Sequence, residues 1–323
     1  MLKRGINETI IKEFKLGYSG SSKDTFYKLA TNKGWDIETL NKLGLINKVN
    51  ENVYDTFINR VVIPIENLKG EVVGFTGRIF NGEDNTAKYL NTKETEIFKK
   101  SSLLFNYHNA KNYIRDRKSV IVVEGNMDAI KMSAKGFKNV VALMGVALSN
   151  EQIDILKRLK VPVILMLDND NAGEEATIKN GEFLINSGVD TKVVRLSGAK
   201  DPDEYLEKFG IDAMQNNIDK AIKYIDFKIE CLKKDKDLSN MEDLITYVKE
   251  VINSINGEDD LTKEIILSKI SKDYAIDIDI LKSNLKTEVK KDAKKEETQE
   301  VRDKKLTKYQ KASHKVLYYM LMD

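Results

Sequence analysis

A chain of 323 residues, 41% hydrophobic and 32% charged, is long enough for two or three domains with real cores. Its single cysteine, Cys231, excludes a disulfide framework and a cysteine-rich zinc site, and its two histidines, His108 and His314, have no cluster of other ligands beside them. No apolar run reaches the ~20 residues that cross a bilayer, and MLKRGINETI lacks the apolar stretch of a signal peptide, so a cytoplasmic protein is expected, with no membrane partner.

The net charge of +2 is unevenly spread. Residues 1–119 carry 20 basic and 14 acidic side chains, residues 120–210 carry 11 and 14, and the remainder 22 and 23. A basic first third ahead of an acidic middle points to a polyanion-binding surface next to a cation-binding site.

In chain order, residues 1–50 read as polar and helical, punctuated by Gly5, Gly17, Gly20, Gly34 and Gly44. RVVIPIENLKGEVVGFTGRIF, residues 60–80, predicts two Val- and Ile-rich strands joined by a turn at Asn67 to Gly70. From Ser119 to Leu196 short apolar strands (SVIVV, NVVALM, VPVILML, TKVVRL) alternate with helical segments. Ser149 and Gln152 have capping-box spacing at the start of one helix. Such alternation predicts a parallel sheet covered on both faces. From Met214 to about Ser283 the pattern is helical throughout. Residues 286–308 are a charged run that reads as an exposed helix or a linker, and KASHKVLYYMLMD turns apolar again.

Charge directly after a buried strand is unusual outside functional sites. Glu124 follows SVIVV, Asp128 stands four residues on, Asp168 and Asp170 follow VPVILML, and Asp201 and Asp203 come after the next strand. Ligands in open parallel sheets bind beyond the carboxyl ends of the strands. Six carboxylates there repel one another unless cations neutralise them, and oxygen donors select hard ions such as magnesium or manganese. An EF-hand loop is a poor alternative: Ala172 and Lys179 stand where the fifth and twelfth positions need oxygen ligands.

VVEGNMD followed about 40 residues later by LDNDNAG resembles the Toprim signature, a metal-binding phosphoryl-transfer module. The flanking LKRGI, FINRVVIPI, GFTGRIF, AKYLNTKETEIFKKSSLLFN and KDPDEYL resemble, in order and spacing, the polymerase core of DnaG-type bacterial primases. The sequence departs from that pattern at Ala87, Asn126, Val146 and Asn169, without losing a carboxylate.

The resemblance implies an α/β protein with an α+β N-terminal subdomain (1–118), a Toprim parallel-sheet subdomain (119–212), a helical subdomain (213–285), a charged linker (286–310) and the truncated start of a helicase-binding domain (311–323). It implies primer synthesis from ribonucleoside triphosphates on single-stranded DNA. Glu124, Asp128, Asp168 and Asp170 are then catalytic, and Mg2+ or Mn2+ is held by Glu124, Asp168, Asp170, Asp201 and Asp203, with Glu124 either a ligand or the general base. Arg4, Arg60, Arg78, Lys88, Tyr89, Asn91 and Lys100 are implied nucleotide or DNA contacts. A zinc-ribbon module and a replicative helicase are expected as partners of a full-length protein only, and no zinc in this chain. The rival readings are a Toprim nuclease or topoisomerase and a non-enzymatic DNA-loading module.

Overall fold

The computed structural model describes residues 6–80, 87–145 and 147–285. The chain divides into two units with the boundary between Tyr224 and Ile225.

In the first unit, short polar helices precede a hairpin sheet. Helix α1 (Glu8–Glu13) starts at Asn7, whose side chain accepts from the Ile10 amide at 3.0 Å, satisfying one of the donors a helix start leaves open. Then come β1 (Gly17–Ser19), α2 (Thr25–Asn32), α3 (Ile37–Lys42) and the two-stranded β2 (Ile46–Val49) and β3 (Asn52–Asp55). The predicted Val- and Ile-rich pair is β4 (Arg60–Glu66) and β5 (Val72–Ile79), joined by the Asn67 turn. With β1 and β6 (Tyr89–Asn91) they form an antiparallel sheet in the order β1-β4-β5-β6.

After α4 (Tyr107–Arg117) the chain builds the second sheet: β7 (Val120–Val123), α5 (Asn126–Ala134), β8 (Val140–Ala142), α6 (Asn150–Leu159), β9 (Val163–Leu165), α7 (Asn171–Asn186), β10 (Thr191–Val193), α8 (Pro202–Asp219) and β11 (Ile222–Lys223). The order is β11-β10-β9-β7-β8, parallel except for β11. β7 is buried at all four residues, as a strand covered on both faces must be. The Ser149–Gln152 capping box forms as the spacing predicts, with the Gln152 amide donating to Ser149 Oγ at 3.1 Å. An all-helical reading after Met214 is corrected by β11: two residues pairing with the edge strand β10 carry no sequence periodicity of their own.

Ile63 and Ile65 of β4, Phe98, Phe105, and Ile121 and Val123 of β7 belong to one hydrophobic core, so the two sheets share an interior. Each such buried apolar side chain stabilises by about 1.5–3 kcal/mol. The second unit continues in α9 (Tyr224–Lys233), α10 (Met241–Ser254) and α11 (Asp260–Tyr274) around its own core of Tyr247, Val251, Ile252, Ile255, Leu267 and Ile270. No helix among the described residues is long and apolar enough to cross a membrane.

Candidate active site

The chain leaves β7 for β8 on one side, then returns to place β9 on the other side of β7. The carboxyl ends of β7 and β9 therefore flank a topological switch point, where α/β sheets bind ligands. Glu124 directly follows β7, and Asp168 lies three residues past β9. Asp128 sits in the first turn of α5. Asp170 and Asp201 are the N-caps of α7 and α8, accepting from the Gly173 and Glu204 amides, each at 2.8 Å.

A cleft of about 480 Å3 opens over these ends. One wall holds Glu124, Asp128, Asp168, Asp201 and Asp203, and the other holds Thr76, Arg78, Lys88, Tyr89 and Asn91 from β5, β6 and their connection. Nine of the residues singled out from sequence thus meet in one place. Asp170 does not line the cleft but stays within electrostatic reach of Glu124 and Asp168.

Burial, then the charge of Asp170, raises the Glu124 carboxyl. Asp168 is pushed up to about 6 by burial first, then by Glu124, Asp201 and Asp170, with Lys200 acting in the opposite sense. Asp128 rises to about 7 through burial, then the charges of Asp201, Asp168 and Asp203, against the lowering effect of Lys131. Asp203 is ion-paired with Lys131, which also lies 3.7 Å from Glu207. Burial and crowding disfavour the charged form of these three carboxyls, and a bound cation would relieve that cost.

The donor set fits a hard divalent cation. Asp168 Oδ1 is buried with no hydrogen-bond partner, a costly state for a carboxylate oxygen. Among the described residues, no three of these side chains are yet gathered into a ready-made metal site.

Other expected contacts fall elsewhere. The Arg60 side chain does not line the cleft: the residue is 6% exposed, and it donates from Nη1 to the Gly77 carbonyl and from Nη2 to the Ala87 carbonyl, both at 3.0 Å. It ties β5 to the segment entering β6. Lys100 begins a short 3-10 turn away from the cleft, its amide donating to Glu94 Oε1 at 3.0 Å. Arg4 and Val146 lie outside the described residues.

Two cations escaped the sequence reading. Lys200 lines the cleft 3.6 Å from Asp201, and Lys131 pairs with Asp203. The signal was present in the spacing, since Lys200 directly precedes the DPD segment and Lys131 stands one helical turn beyond Asp128.

Comparison with known proteins places this geometry. Residues 1–111 match the family described as DNA primase catalytic core, N-terminal domain, and residues 121–206 match Toprim-like. The chain is 36% identical over 291 residues to the DNA primase of Clostridium acetobutylicum, covering 90% of this chain and 48% of that protein. The chain carries the N-terminal catalytic-core and Toprim domains of DnaG-type primases. A Staphylococcus aureus DNA primase is 38% identical over 257 residues, covering 79% of this chain and 42% of the relative. The chain thus spans less than half the length of these curated relatives. Among solved structures, the zinc-binding and RNA polymerase domains of the Aquifex aeolicus primase align with a TM-score of 0.72 at 29% identity, over 87% of this chain and 67% of that one. A DnaG primase catalytic domain bound to ssDNA aligns with a TM-score of 0.71 at 27% identity, over 86% and 88%.

Proposed function

We propose that this chain is a primase core that joins ribonucleotides into short primers on single-stranded DNA. The observation that carries the reading is the two-walled cleft of about 480 Å3, with Arg78, Lys88 and the Tyr89 ring on one side and the carboxylate array on the other. The ssDNA-bound DnaG relative supports a single-stranded template here.

In the reaction, the primer 3′-hydroxyl oxygen bonds to the α-phosphorus of a nucleoside triphosphate as the bond to the departing pyrophosphate breaks. Arg78 offers a planar fork and Lys88 a point charge to the phosphates. Tyr89 presents a ring for a base or sugar, flanked by the Arg78 guanidinium at 5.6 Å and the Lys88 ammonium at 5.9 Å from its centroid. Glu124, whose burial favours proton uptake, takes the hydroxyl proton. Asp168, Asp170, Asp201 and Asp203 are the residues that would hold Mg2+ or Mn2+, with Glu124 joining them where it is a ligand and not the base. When bound, such ions stabilise the charge that develops on the attacking and leaving oxygens. Two members of this set already have a cation beside them, Asp203 with Lys131 and Asp201 with Lys200.

In this division of labour residues 1–118 hold polyanionic substrates, the Toprim sheet through β11 carries the chemistry, and the helices that follow it, within the expected 213–285, form a helical subdomain. The linker and the proposed start of a helicase-binding domain, residues 286–323, lie outside the described residues. A zinc-ribbon module and a replicative helicase are the further partners proposed, and the cytoplasm the location.

The test is incubation of labelled ribonucleoside triphosphates with single-stranded DNA and Mg2+ or Mn2+. Template-dependent RNA oligomers are expected, abolished by chelation. Cleavage of the DNA without RNA synthesis would overturn the reading in favour of a Toprim nuclease or topoisomerase, and DNA binding without either reaction in favour of a loading module.

A further inference from the structure

Strand register puts a second feature on the substrate-facing side of the antiparallel sheet. Tyr18 of β1 pairs with Val61 of β4, Val61 with Arg78 of β5, and Arg78 with Tyr89 of β6. Directly paired residues point to the same face, so Tyr18 lies in one row with the two cleft residues Arg78 and Tyr89. Phe80, two residues beyond Arg78, returns to that face, and its amide continues the ladder by donating to the Asn59 carbonyl at 2.9 Å. The row spans three strand spacings, about 14 Å from Tyr18 to Tyr89.

Tyr18 is 55% and Phe80 51% exposed, yet their rings touch each other, with centroids 5.2 Å apart and planes inclined at 59°. The Tyr18 hydroxyl donates to Asn59 Oδ1 at 2.9 Å, which fixes the ring's direction at the sheet edge. Two rings this exposed leave flat apolar faces open to solvent. Along the row Val61 stands between Tyr18 and Arg78, and at its far end the Tyr89 ring has the cations Arg78 and Lys88 beside it. Aromatic faces beside a backbone-tracking cationic groove are what a single-stranded polynucleotide recognises without reading sequence.

We propose that Tyr18 and Phe80 form a stacking platform for template bases where the single strand runs out of the carboxylate cleft across the sheet. This rests on the primase reading of the cleft and extends it to a surface that lies outside the cleft lining. The cations hold backbone and set salt dependence, whereas the rings hold bases and leave it unchanged.

The test is equilibrium binding of fluorescent oligodeoxynucleotides to the full chain over a range of salt, with normal and abasic strands in parallel. The double variant Tyr18→Leu, Phe80→Leu keeps apolar bulk and loses the flat faces. It is expected to bind the normal strand about tenfold or more weakly, from the usual strength of base–aromatic stacking, with an unchanged salt slope and no remaining preference for normal over abasic DNA. Tyr18→Phe, which loses only the Asn59 hydrogen bond, should bind nearly as wild type. Melting curves establish that each variant is folded. If the wild type binds and copies single strands while the folded double variant keeps both affinity and preference for bases, the platform is wrong and the primase reading stands. If the wild type neither binds single strands nor makes RNA, both fall.

Discussion

The side-chain amide of Asn169 donates to the Ala199 carbonyl at 3.1 Å and to the Leu196 carbonyl at 3.2 Å. Its backbone amide donates to the Lys200 carbonyl at 2.6 Å. One residue between two carboxylates therefore staples the loop after β9 to the loop after β10, fixing Asp168 against Asp201. Asn169→Ala is expected to lose about 1–2 kcal/mol of stability, the usual worth of two such bonds. Asn169→Asp should be worse, because an acceptor then faces two carbonyls in an already acidic cleft. Melting temperature and primer yield, measured on both variants, check this order; an Asp variant as active as wild type would refute the staple.

Asp168→Asn and Asp170→Asn should each abolish nucleotide addition. Their metal-free folds should differ. Relieving the charge on half-buried Asp168 should raise its melting temperature in chelator, whereas Asp170→Asn keeps a capping side chain and should stay near wild type. Primer assays with Mg2+ and melts with chelator separate the two effects.

Without metal, Asp128 makes stability depend on pH. Its carboxyl moves from the ordinary 3.8 up to about 7 on folding, so between those values the folded chain binds more protons than the unfolded one. Stability therefore falls as pH rises through that window, with no penalty below it and the full penalty above about 7. In chelator, the wild type should lose more melting temperature between pH 5 and pH 8 than Asp128→Asn does. Parallel curves for the two proteins would show that Asp128 is not perturbed.

The two arginines of the hairpin sheet should fail differently. Arg60→Ala removes a buried guanidinium that serves two carbonyls and should destabilise the fold by several kcal/mol. Arg60→Lys, a point donor, should not rescue it. Arg78→Ala should leave the melt unchanged and flatten the log–log salt dependence of single-strand binding by about 0.7. Finding the stability loss at Arg78 would reverse these roles.

Adding a methyl group at Gly173 should disarm the cleft from behind. A Cβ there would run into the Asp168 backbone carbonyl, well inside van der Waals contact. Gly173→Ala is expected to cost about 1–3 kcal/mol and to displace Asp168, lowering primer yield with nucleotide affinity largely kept. Unfolding and single-turnover measurements decide it.

The parallel sheet was legible because its strands are continuous apolar runs, and the carboxylates were legible because charge follows those runs directly. What escaped were elements whose conformation is set by a distant partner. β1 is three residues of Gly, Tyr and Ser that become a strand only against Val61 and its neighbours. β11 exists only against β10. Nothing local tells whether an arginine in a strand, such as Arg60, faces substrate or its own backbone. The partnership of Lys131 with Asp203 crosses 72 residues of chain and depends on α5 and α8 packing together.

Asp170 and Asp201 start helices as well as face the acidic cluster. The first turn of a helix is where fraying begins on warming, and these side chains are what delays it. Loosening of α7 or α8 at that end swings the same oxygens out of register, so heat should silence the enzyme several degrees before the cores of either unit give way. Thermal inactivation would then be reversible on cooling, a property of two helix starts and not of the folded mass behind them.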